Sequence, residues 1–414
     1  MERTLRPRKL ALVIGTALVA VAPVLSAQQV LAVAPAPGSG VFSTQIQPAV
    51  DAAAEGDIVL VKPGLYSGFD VNAKSLTVIA DGSVRLSSAI RIMNLTAKQR
   101  CLVQGFSAHP AFMQATPALQ LNRNDGPVWI TGCTLTGGNA FARTPATDGV
   151  SATHCASVTL LRCTVTGGTG GDNVPFSLSG SVGLRAFDSI LFLFDTVCAG
   201  GVGLTGNRPT RGGAGAKFDG GTVFASGTTM QGGRGGSSSS SSSLAAGGAG
   251  GVGCICNSVM TVLGCSFVGG AGGSGQPVGP QGAPKDGSGM MAAWSGTARH
   301  FECESPVREQ QTVTLRAGGL PGEQVGVLYT SQPSAGDLMP SYLGAAAVSI
   351  AHVEGLSLGT IGSGGSASFP VSVPLLPPTT HGTTVYLQAV FFDAPLTYAV
   401  LGPPSACVVL GASP

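Results

Sequence analysis

Charged side chains are scarce in this chain of 414 residues. Aspartate, glutamate, lysine and arginine together make up 10% of it, and the formal net charge is +2. Binding to nucleic acid or to an acidic membrane through electrostatics requires a marked excess of basic residues. We therefore expect no nucleic-acid partner and no electrostatic attachment to a bilayer.

Aromatic side chains are also few, with two tryptophans and five tyrosines. A long platform of exposed rings, of the kind that stacks on successive sugars, is excluded by these numbers. The chain also has no helical periodicity within its repeats, whose apolar residues are β-branched and aliphatic. The composition thus favours an all-β protein, and 63 glycines fit a structure with many tight turns.

The N-terminus predicts an export signal. Arg3, Arg6, Arg8 and Lys9 precede an uncharged run from Leu10 to Leu25, and Ser26 and Ala27 follow. This order is typical of a signal peptide over residues 1–27, and an uncleaved membrane anchor is the alternative. No later run is long and apolar enough to span a bilayer. We expect no transmembrane span after cleavage, and a location that is secreted, periplasmic or on the surface of a bacterial cell.

One phrase recurs between residues 127 and 270 and closes each time on paired glycines. Its copies are Pro127–Gly138, Ser157–Gly168, Ser189–Gly201, Gly221–Gly233 and Ser258–Gly270. With Cys133, Cys163, Asp195, Gly227 and Cys265 taken as equivalent, the copies are 30, 32, 32 and 38 residues apart. A period of this length indicates one supersecondary unit, and the unit predicts parallel coils whose equivalent strands pair.

The segment before the repeats carries a family resemblance. Residues 46–53 read I-Q-x-A-V-D-A-A, a G-D-x-V-x-V strand follows from Gly56, and P-G-x-Y ends at Tyr66. This stretch resembles the first coil of right-handed parallel β-helix proteins of the pectin-lyase-like class. The resemblance implies a β-helix over residues 41–270 with about seven or eight coils and a short N-terminal capping helix.

The remaining segments complete the predicted domain organisation. Residues 28–40 and 271–300 are rich in glycine, proline and other small residues and predict linkers. Residues 301–414 contain alternating runs separated by Gly/Pro turns, which predict a small antiparallel β-sandwich. Gly319–Gly322 and Gly382–Ala389 are similar to C-terminal modules of exported bacterial proteins.

The family resemblance implies specific catalytic motifs, and these are missing. The polygalacturonase-like set N-T-D, D-D, G-H-G and R-I-K is absent. The pectate-lyase-like v-W-i-D-H is half present, because Val128-Trp129-Ile130 is followed by Thr131 and Gly132. Arg208-Pro-Thr-Arg211 lacks the spacing of the lyase R-x-P-x-x-R.

Four residues form the best catalytic candidate that the sequence offers. Asp188 and Asp219 are read as equivalent turn positions on successive coils, with Arg185 and Lys217 one strand end away. Two carboxylates beside a base are what polysaccharide cleavage requires. The alternative is that both acids are turn residues that bond their own backbone.

Two further residues are candidate binding positions. Trp129 alternates with Val128 and Ile130 and could face an outer groove, or pack beneath a loop. Asp195 replaces cysteine at the repeated position, where an inward side chain would be a buried acid with a raised pKa, and the alternative is an outward turn.

Cysteine and metal chemistry leave several possibilities open. Cys303 and Cys407 are the disulfide candidate, since they lie near the two ends of the last hundred residues, and two buried thiols are the alternative. Cys133 and Cys163 fall on one predicted ladder, where buried thiols are favoured over a bond. No zinc set is complete around His154. Calcium is the one cofactor considered, through Asp172-Asn173, which lacks the repeated aspartates of calcium-binding turns.

The sequence favours a binding function over catalysis. We expect an exported β-helix protein that binds a polysaccharide or a cell-envelope component and has no clear catalytic apparatus. The alternative is a polysaccharide lyase or glycoside hydrolase that acts in a groove of the β-helix.

Overall fold

A computed structural model describes residues 28–110, 115–141, 144–173, 176–238, 246–348, 354–393, 395 and 397–411. The predicted signal peptide, residues 1–27, lies outside the described residues, and so does most of the serine run, at 239–245. The first part of the chain contains one helix, α1 (Ile46–Ala52), and these strands: β1 (Val30–Val33), β2 (Ile58–Val61), β3 (Gly64–Tyr66), β4 (Asp70–Asn72), β5 (Leu76–Leu86), β6 (Ile90–Met93), β7 (Cys101–Ala108), β8 (Leu119–Asn124), β9 (Val128–Thr131), β10 (Thr134–Thr136), β11 (Val150–Cys155), β12 (Val158–Leu161), β13 (Thr164–Thr166), β14 (Asp172–Asn173), β15 (Phe176–Ser177), β16 (Leu184–Phe194), β17 (Val197–Ala199), β18 (Ala216–Ser226), β19 (Thr229–Gln231), β20 (Cys254–Leu263), β21 (Ser266–Val268), β22 (Lys285–Asp286) and β23 (Met290–Trp294). The second part contains a short 3-10 helix, Pro340–Tyr342, and these strands: β24 (His300–Cys303), β25 (Val307–Arg308), β26 (Thr312–Gly318), β27 (Gln324–Thr330), β28 (Pro333–Met339), β29 (Gly344–Val348), β30 (Glu354–Thr360), β31 (Ser366–Ser372), β32 (Gly382–Phe392) and β33 (Ala399–Leu410).

Parallel pairing arranges the first part in three rows of strands. Row A contains β4, β6, β8, β11, the first halves of β16, β18 and β20, and β22. Row B contains β1, β2, the first halves of β5 and β7, β9, β12, the second halves of β16, β18 and β20, and β23. Row C contains β3, the second halves of β5 and β7, β10, β13, β17, β19 and β21. The repeated parallel sheet that the sequence predicts is therefore present, and its arrangement fits a parallel β-helix.

The inward side chains of the three rows share one apolar core. Val128 and Ile130 of row B, Leu135 of row C and Ala152 of row A belong to one buried cluster. Strand residues alternate between the two faces of a sheet, so every second residue of each strand enters this core. The residues of α1 that face the same cluster are Ile46, Ala49 and Val50, and a helix is thus present where the sequence predicts one.

Row B differs from the other rows because its outward face is also buried. Ile58, Leu60, Leu102 and Trp129 pack against residues of β32 and β33 and form a second cluster with them. Strands buried on both faces read as continuous apolar runs, as in the LFLF of Leu191–Phe194. The second part of the chain therefore covers the outward face of row B.

The second part folds into separate sheets of mainly antiparallel strands. One sheet has the order β24-β26-β31 and another has the order β25-β33-β32-β27-β30, and β28 and β29 form a hairpin. Between the sheets lies a core that includes Phe301, Leu315 and Phe391.

The paired glycines, which the sequence analysis interpreted as turns, begin longer irregular segments. In each of the last repeats such a segment leads from row C back to row A, as residues 200–215 do. Backbone hydrogen bonds connect outgoing and returning segments across the stack: Gly213 donates to Gly201, Gly233 to Gly213, Gly251 to Gly233 and Gly270 to Gly251. We call this region the glycine layer.

Only glycine fits the contacts of the glycine layer. A Cβ atom on Gly213 would lie 1.8 Å from the carbonyl oxygen of Ser181, and one on Gly251 would lie 1.8 Å from that of Gly213. Within residues 247–253 close contacts recur with a spacing of three residues, which is the period of a polyproline II helix. Backbone packing, and not turn geometry, accounts for these glycines.

Three predictions about organisation require correction. The predicted linker 28–40 contains β1, and the predicted linker 271–300 contains β22, β23 and the last segment of the glycine layer. The equivalence of Asp195 and Gly227 with the cysteines is wrong by one position, because Thr134, Thr164, Val197, Thr229 and Ser266 are in register. The residues equivalent to Cys133 are therefore Thr196 and Thr228, which are buried.

Candidate ligand-binding groove

Row A turns its outward side chains to solvent. Its strands are in register about 4.8 Å apart, so these side chains form ladders in which each residue neighbours its equivalents. The central ladder contains Asp70, Arg91, Gln120, Ser151, Arg185, Lys217, Ile255 and Asp286. All eight side chains of this ladder are half-buried or exposed.

The structure distributes the predicted catalytic residues over separate ion pairs. Arg185 Nε lies 2.5 Å from Asp148 Oδ2. Lys217 Nζ lies 3.1 Å from Asp219 Oδ2, and Asn257 also donates a hydrogen bond to Asp219. Arg185 and Lys217 are direct neighbours, but each cation neutralises a different acid.

Asp188 and Asp219 are not equivalent positions. Asp219 lies opposite Phe187, and Asp188 occupies the next position, beside Gly220. The backbone of Asp188 has a φ of 44°, a left-handed conformation that aspartate tolerates better than most residues. The prediction that the two carboxylates occupy equivalent turn positions is therefore wrong by one residue.

Electrostatics keep Asp219 charged. Burial raises the pKa of Asp219, but hydrogen bonds from Asn257 and Lys217 outweigh it and leave that pKa below its ordinary value. The hydrogen bond to Asp148 raises the pKa of Arg185. An acid with a lowered pKa is ionised at neutral pH and cannot donate a proton to a leaving group.

A groove follows the turn between row A and row B. It has a volume of about 420 Å³ and is lined by His154, Cys155, Ala156, Asp188, Ser189, Ile190, Gly221 and Thr222. His154 Nδ1 lies 3.2 Å from Asp188 Oδ2, and both residues adopt positive φ angles, which turn their side chains to the same edge. We call this region the turn groove.

Apolar groups border the turn groove. The ring of Phe187 is 50% exposed and packs edge-on against the ring of His154, with centroids 5.4 Å apart. Ile190, Thr222, Val259 and Met290 are register partners on successive strands, and the three apolar members are exposed. An aromatic face beside charged and amide groups offers an amphipathic ligand both stacking and hydrogen bonds.

Trp129 does not face a groove. Its side chain is 1% exposed and packs edge-on against Tyr386, with ring centroids 5.0 Å apart. Its predicted binding role is therefore wrong, and the alternative of packing beneath another element describes it better. Because Trp129 lies on the outward face of row B, the covering element is the sheet that contains β32 and β33.

Asp195 points away from the coil interior. Its Oδ2 atom lies 2.9 Å from Nδ1 of His300, which belongs to β24 in the second part of the chain. The structure thus places Asp195 in the contact between the two parts and not on the inward ladder. This hydrogen bond raises the pKa of His300, against the opposing effect of burial.

Both predicted cysteine pairs are brought together as free thiols. Cys303 and Cys407 are buried neighbours, and Cys133 and Cys163 are buried neighbours on adjacent strands of the stack.

Within the described residues no three His, Cys, Asp or Glu side chains converge to hold a metal ion. The side chains of Asp172 and Asn173, which the calcium hypothesis invoked, lie outside the described set. No helix in the described part of the chain has the length and apolar character to cross a membrane.

Comparisons with known proteins add little. No protein-family model matches the chain, and no curated protein matches it. Among solved structures, ORF18 of Geobacillus virus E2 aligns over 87% of this chain and 72% of its own, with 13% identity and a TM-score of 0.19. A superposition of that quality carries no argument about fold or function.

The sequence analysis missed Phe187 and the apolar residues near it. A signal was available in the strand itself, because Leu184–Phe187 alternates buried and outward residues and so places Phe187 outward. His154 was considered for a metal site, whereas the structure shows it paired with Asp188. Ile190 and Val259 are separated by nearly seventy residues, and only the register of β16, β18 and β20 brings them onto one ladder.

Proposed function

We propose that this protein is an exported right-handed parallel β-helix of the pectin-lyase-like class that binds a polysaccharide or a related cell-envelope glycan without cleaving it. In this proposal α1 closes the N-terminal end of about seven or eight coils, and the second part of the chain covers row B. The burial of Ile46, Ala49 and Val50 against the core supports the capping role.

The half-exposed ring of Phe187 is the observation on which the binding proposal rests. Contiguous exposed apolar patches commonly mark binding sites, and Phe187 lies close to the exposed residues Ile190, Val259 and Met290. His154, Asp188, Asp219 and Asn257 lie around the ring and supply donors and acceptors for hydroxyl groups. The repetition of row A lets an elongated ligand contact several coils.

The ion pairs weigh against catalysis. A glycoside hydrolase needs one carboxylic acid that is protonated near neutral pH, and a lyase needs a base that is free to take a proton. Arg185 and Lys217 are each engaged by an acid, and the pKa of Asp219 is lowered. The arrangement suits a fixed polar surface better than proton transfer.

A glycan array followed by calorimetry tests the proposal. The full chain should bind a defined glycan, and Phe187→Ala should weaken binding by at least about tenfold, since loss of an aromatic stacking contact costs about 0.5–1.5 kcal/mol beyond its lost area. Phe42→Ala is the matched control, because Phe42 has similar exposure, 53%, and lies at the N-terminal end of the stack, where its backbone N–H bonds Ala32 of β1.

Two outcomes would contradict the proposal. If the Phe187→Ala and wild-type chains bound the glycan equally well, the turn groove would not be part of the binding site. Release of oligosaccharides from a polyuronate panel, lost in Asp188→Ala, would show that the protein is a polysaccharide-cleaving enzyme.

A further inference from the structure

Two thiols meet between the two sheets of the second part of the chain. Cys303 is the last residue of β24, in one sheet, and Cys407 lies in β33, in the facing sheet. The two strands come close to each other at this point, because both thiols contact the carbonyl oxygen of one residue, Glu304. Both residues are 6% exposed and belong to the core between the sheets.

The sulfur atoms share one acceptor. Cys303 Sγ lies 3.3 Å from the carbonyl oxygen of Glu304, and Cys407 Sγ lies 3.6 Å from the same oxygen. Two thiols on one carbonyl oxygen are close neighbours, and this proximity is what a disulfide between them requires.

Cys303 lies beside a solvent-accessible cleft, whereas Cys133 and Cys163 do not. Cys303 lines a cleft of about 360 Å³ between the two parts of the chain, together with Arg162, Glu302 and Glu304. Cys133 and Cys163 are each 1% exposed and lie inside the parallel stack. A small reagent therefore reaches the first pair before the second.

We propose that Cys303 and Cys407 form a disulfide that joins the two sheets of the second part of the chain, and that Cys133 and Cys163 remain thiols. A small disulfide such as oxidised glutathione supplies the oxidising power. The thiolate of Cys303 attacks it and releases one glutathione thiolate, and the thiolate of Cys407 then displaces the protein-bound glutathione. Two protein protons and two electrons leave with the two glutathione molecules, so the exchange is balanced.

The bond would also secure the contact between the two parts of the chain. The strand that ends in Cys303 carries His300, which bonds Asp195, and Phe301, whose carbonyl oxygen accepts a hydrogen bond from Arg162. Linking this first strand to β33 closes a loop of about a hundred residues, and closing long loops restricts the unfolded chain most.

The test uses the full wild-type chain, equilibrated with oxidised glutathione and then denatured and alkylated. The number of titratable thiols should fall from ten to eight. Mass spectrometry of the digest should find one linked pair of peptides, containing Cys303 and Cys407. The oxidised protein should melt at least about 5 °C above the reduced protein.

Variants separate the proposal from its alternatives. Oxidation should no longer raise the melting temperature of Cys303→Ser or Cys407→Ser, whereas Cys133→Ser should retain the full increase. Ten free thiols after equilibration, or a bond between Cys133 and Cys163, would overturn the proposal. The digest of the wild-type chain decides the pairing even where a serine variant folds poorly.

Discussion

Rows A and B are built from the same repeat and have opposite surroundings. In row B both faces are buried over most of the row, and only its last strand, β23, is largely exposed. On the outward side Trp129, Leu161 and Phe194 are at most 1% exposed. In row A the outward face carries charged and polar ladders and the exposed ring of Phe187. The outward residues of a repeat strand are therefore apolar where another part of the chain covers them and mainly polar where they meet solvent.

The largest expected effect comes from row B. Trp129→Ala should lower the free energy of unfolding by about 3–5 kcal/mol, because it opens a cavity between the two parts of the chain. Phe187→Ala, the same kind of truncation in row A, should change it by no more than about 0.5 kcal/mol. Denaturant unfolding measures both variants, and similar losses would show that the two faces are equally covered.

The glycine layer should be almost as sensitive as row B. Gly251→Ala places a methyl group against the carbonyl oxygen of Gly213, and we expect a loss of about 1–3 kcal/mol or more from this overpacking. Gly206→Ala is the matched control, since a Cβ atom there meets nothing within 4 Å. If both variants unfold at the same denaturant concentration, close backbone packing does not explain the paired glycines.

The smallest effect concerns the contact of Asp195 with His300. The pKa of His300 is raised in the folded protein by its hydrogen bond with Asp195, and Glu302 adds to the rise, whereas burial and the Arg162 charge oppose it. A raised pKa contributes stability that is fully present below the ordinary histidine pKa of about 6.5 and is lost as the pH rises through the folded value.

We therefore expect His300→Gln to lower the melting temperature more at pH 5.5 than at pH 8.5. The side chain of His300 is 45% exposed, so solvent screening keeps the difference small. Asp195→Asn should flatten the same pH dependence in the wild-type background. A loss of melting temperature in His300→Gln that is the same at both pH values would mean that the contact is not charge-assisted.

Much of the fold could be predicted from the local sequence. The alternating strands and the constant spacing were sufficient for a repeated parallel sheet, and the Gly/Pro turns after residue 300 were sufficient for antiparallel sheets. The register was less secure, because Asp195 and Gly227 were aligned with cysteine although Thr196 and Thr228 occupy the equivalent buried positions. Counting back from the paired glycines gives the correct alignment.

The candidate site could be predicted only in part. The sequence analysis placed Arg185 and Lys217 near the candidate acids, and the register of β16 and β18 makes the two cations direct neighbours. The acid that pairs with Arg185 was not predicted. Asp148 lies at the end of a glycine-layer segment, and the path of that segment cannot be read from the sequence. For Trp129 both a groove and a covering element stayed open, because nothing in its own strand identifies Tyr386, more than 250 residues later, as its cover.

Thiol labelling of the native protein tests the contrast between the two rows most directly. Ser151 in row A and Thr159 in row B both point outward, and Thr159 is 2% exposed beneath the second part of the chain. The wild-type chain supplies the background, because Cys265 is partly exposed and Cys303 lines a cleft. Ser151→Cys should react with a maleimide on mixing, and Thr159→Cys should react only after unfolding. Equally fast labelling of both variants would contradict the account.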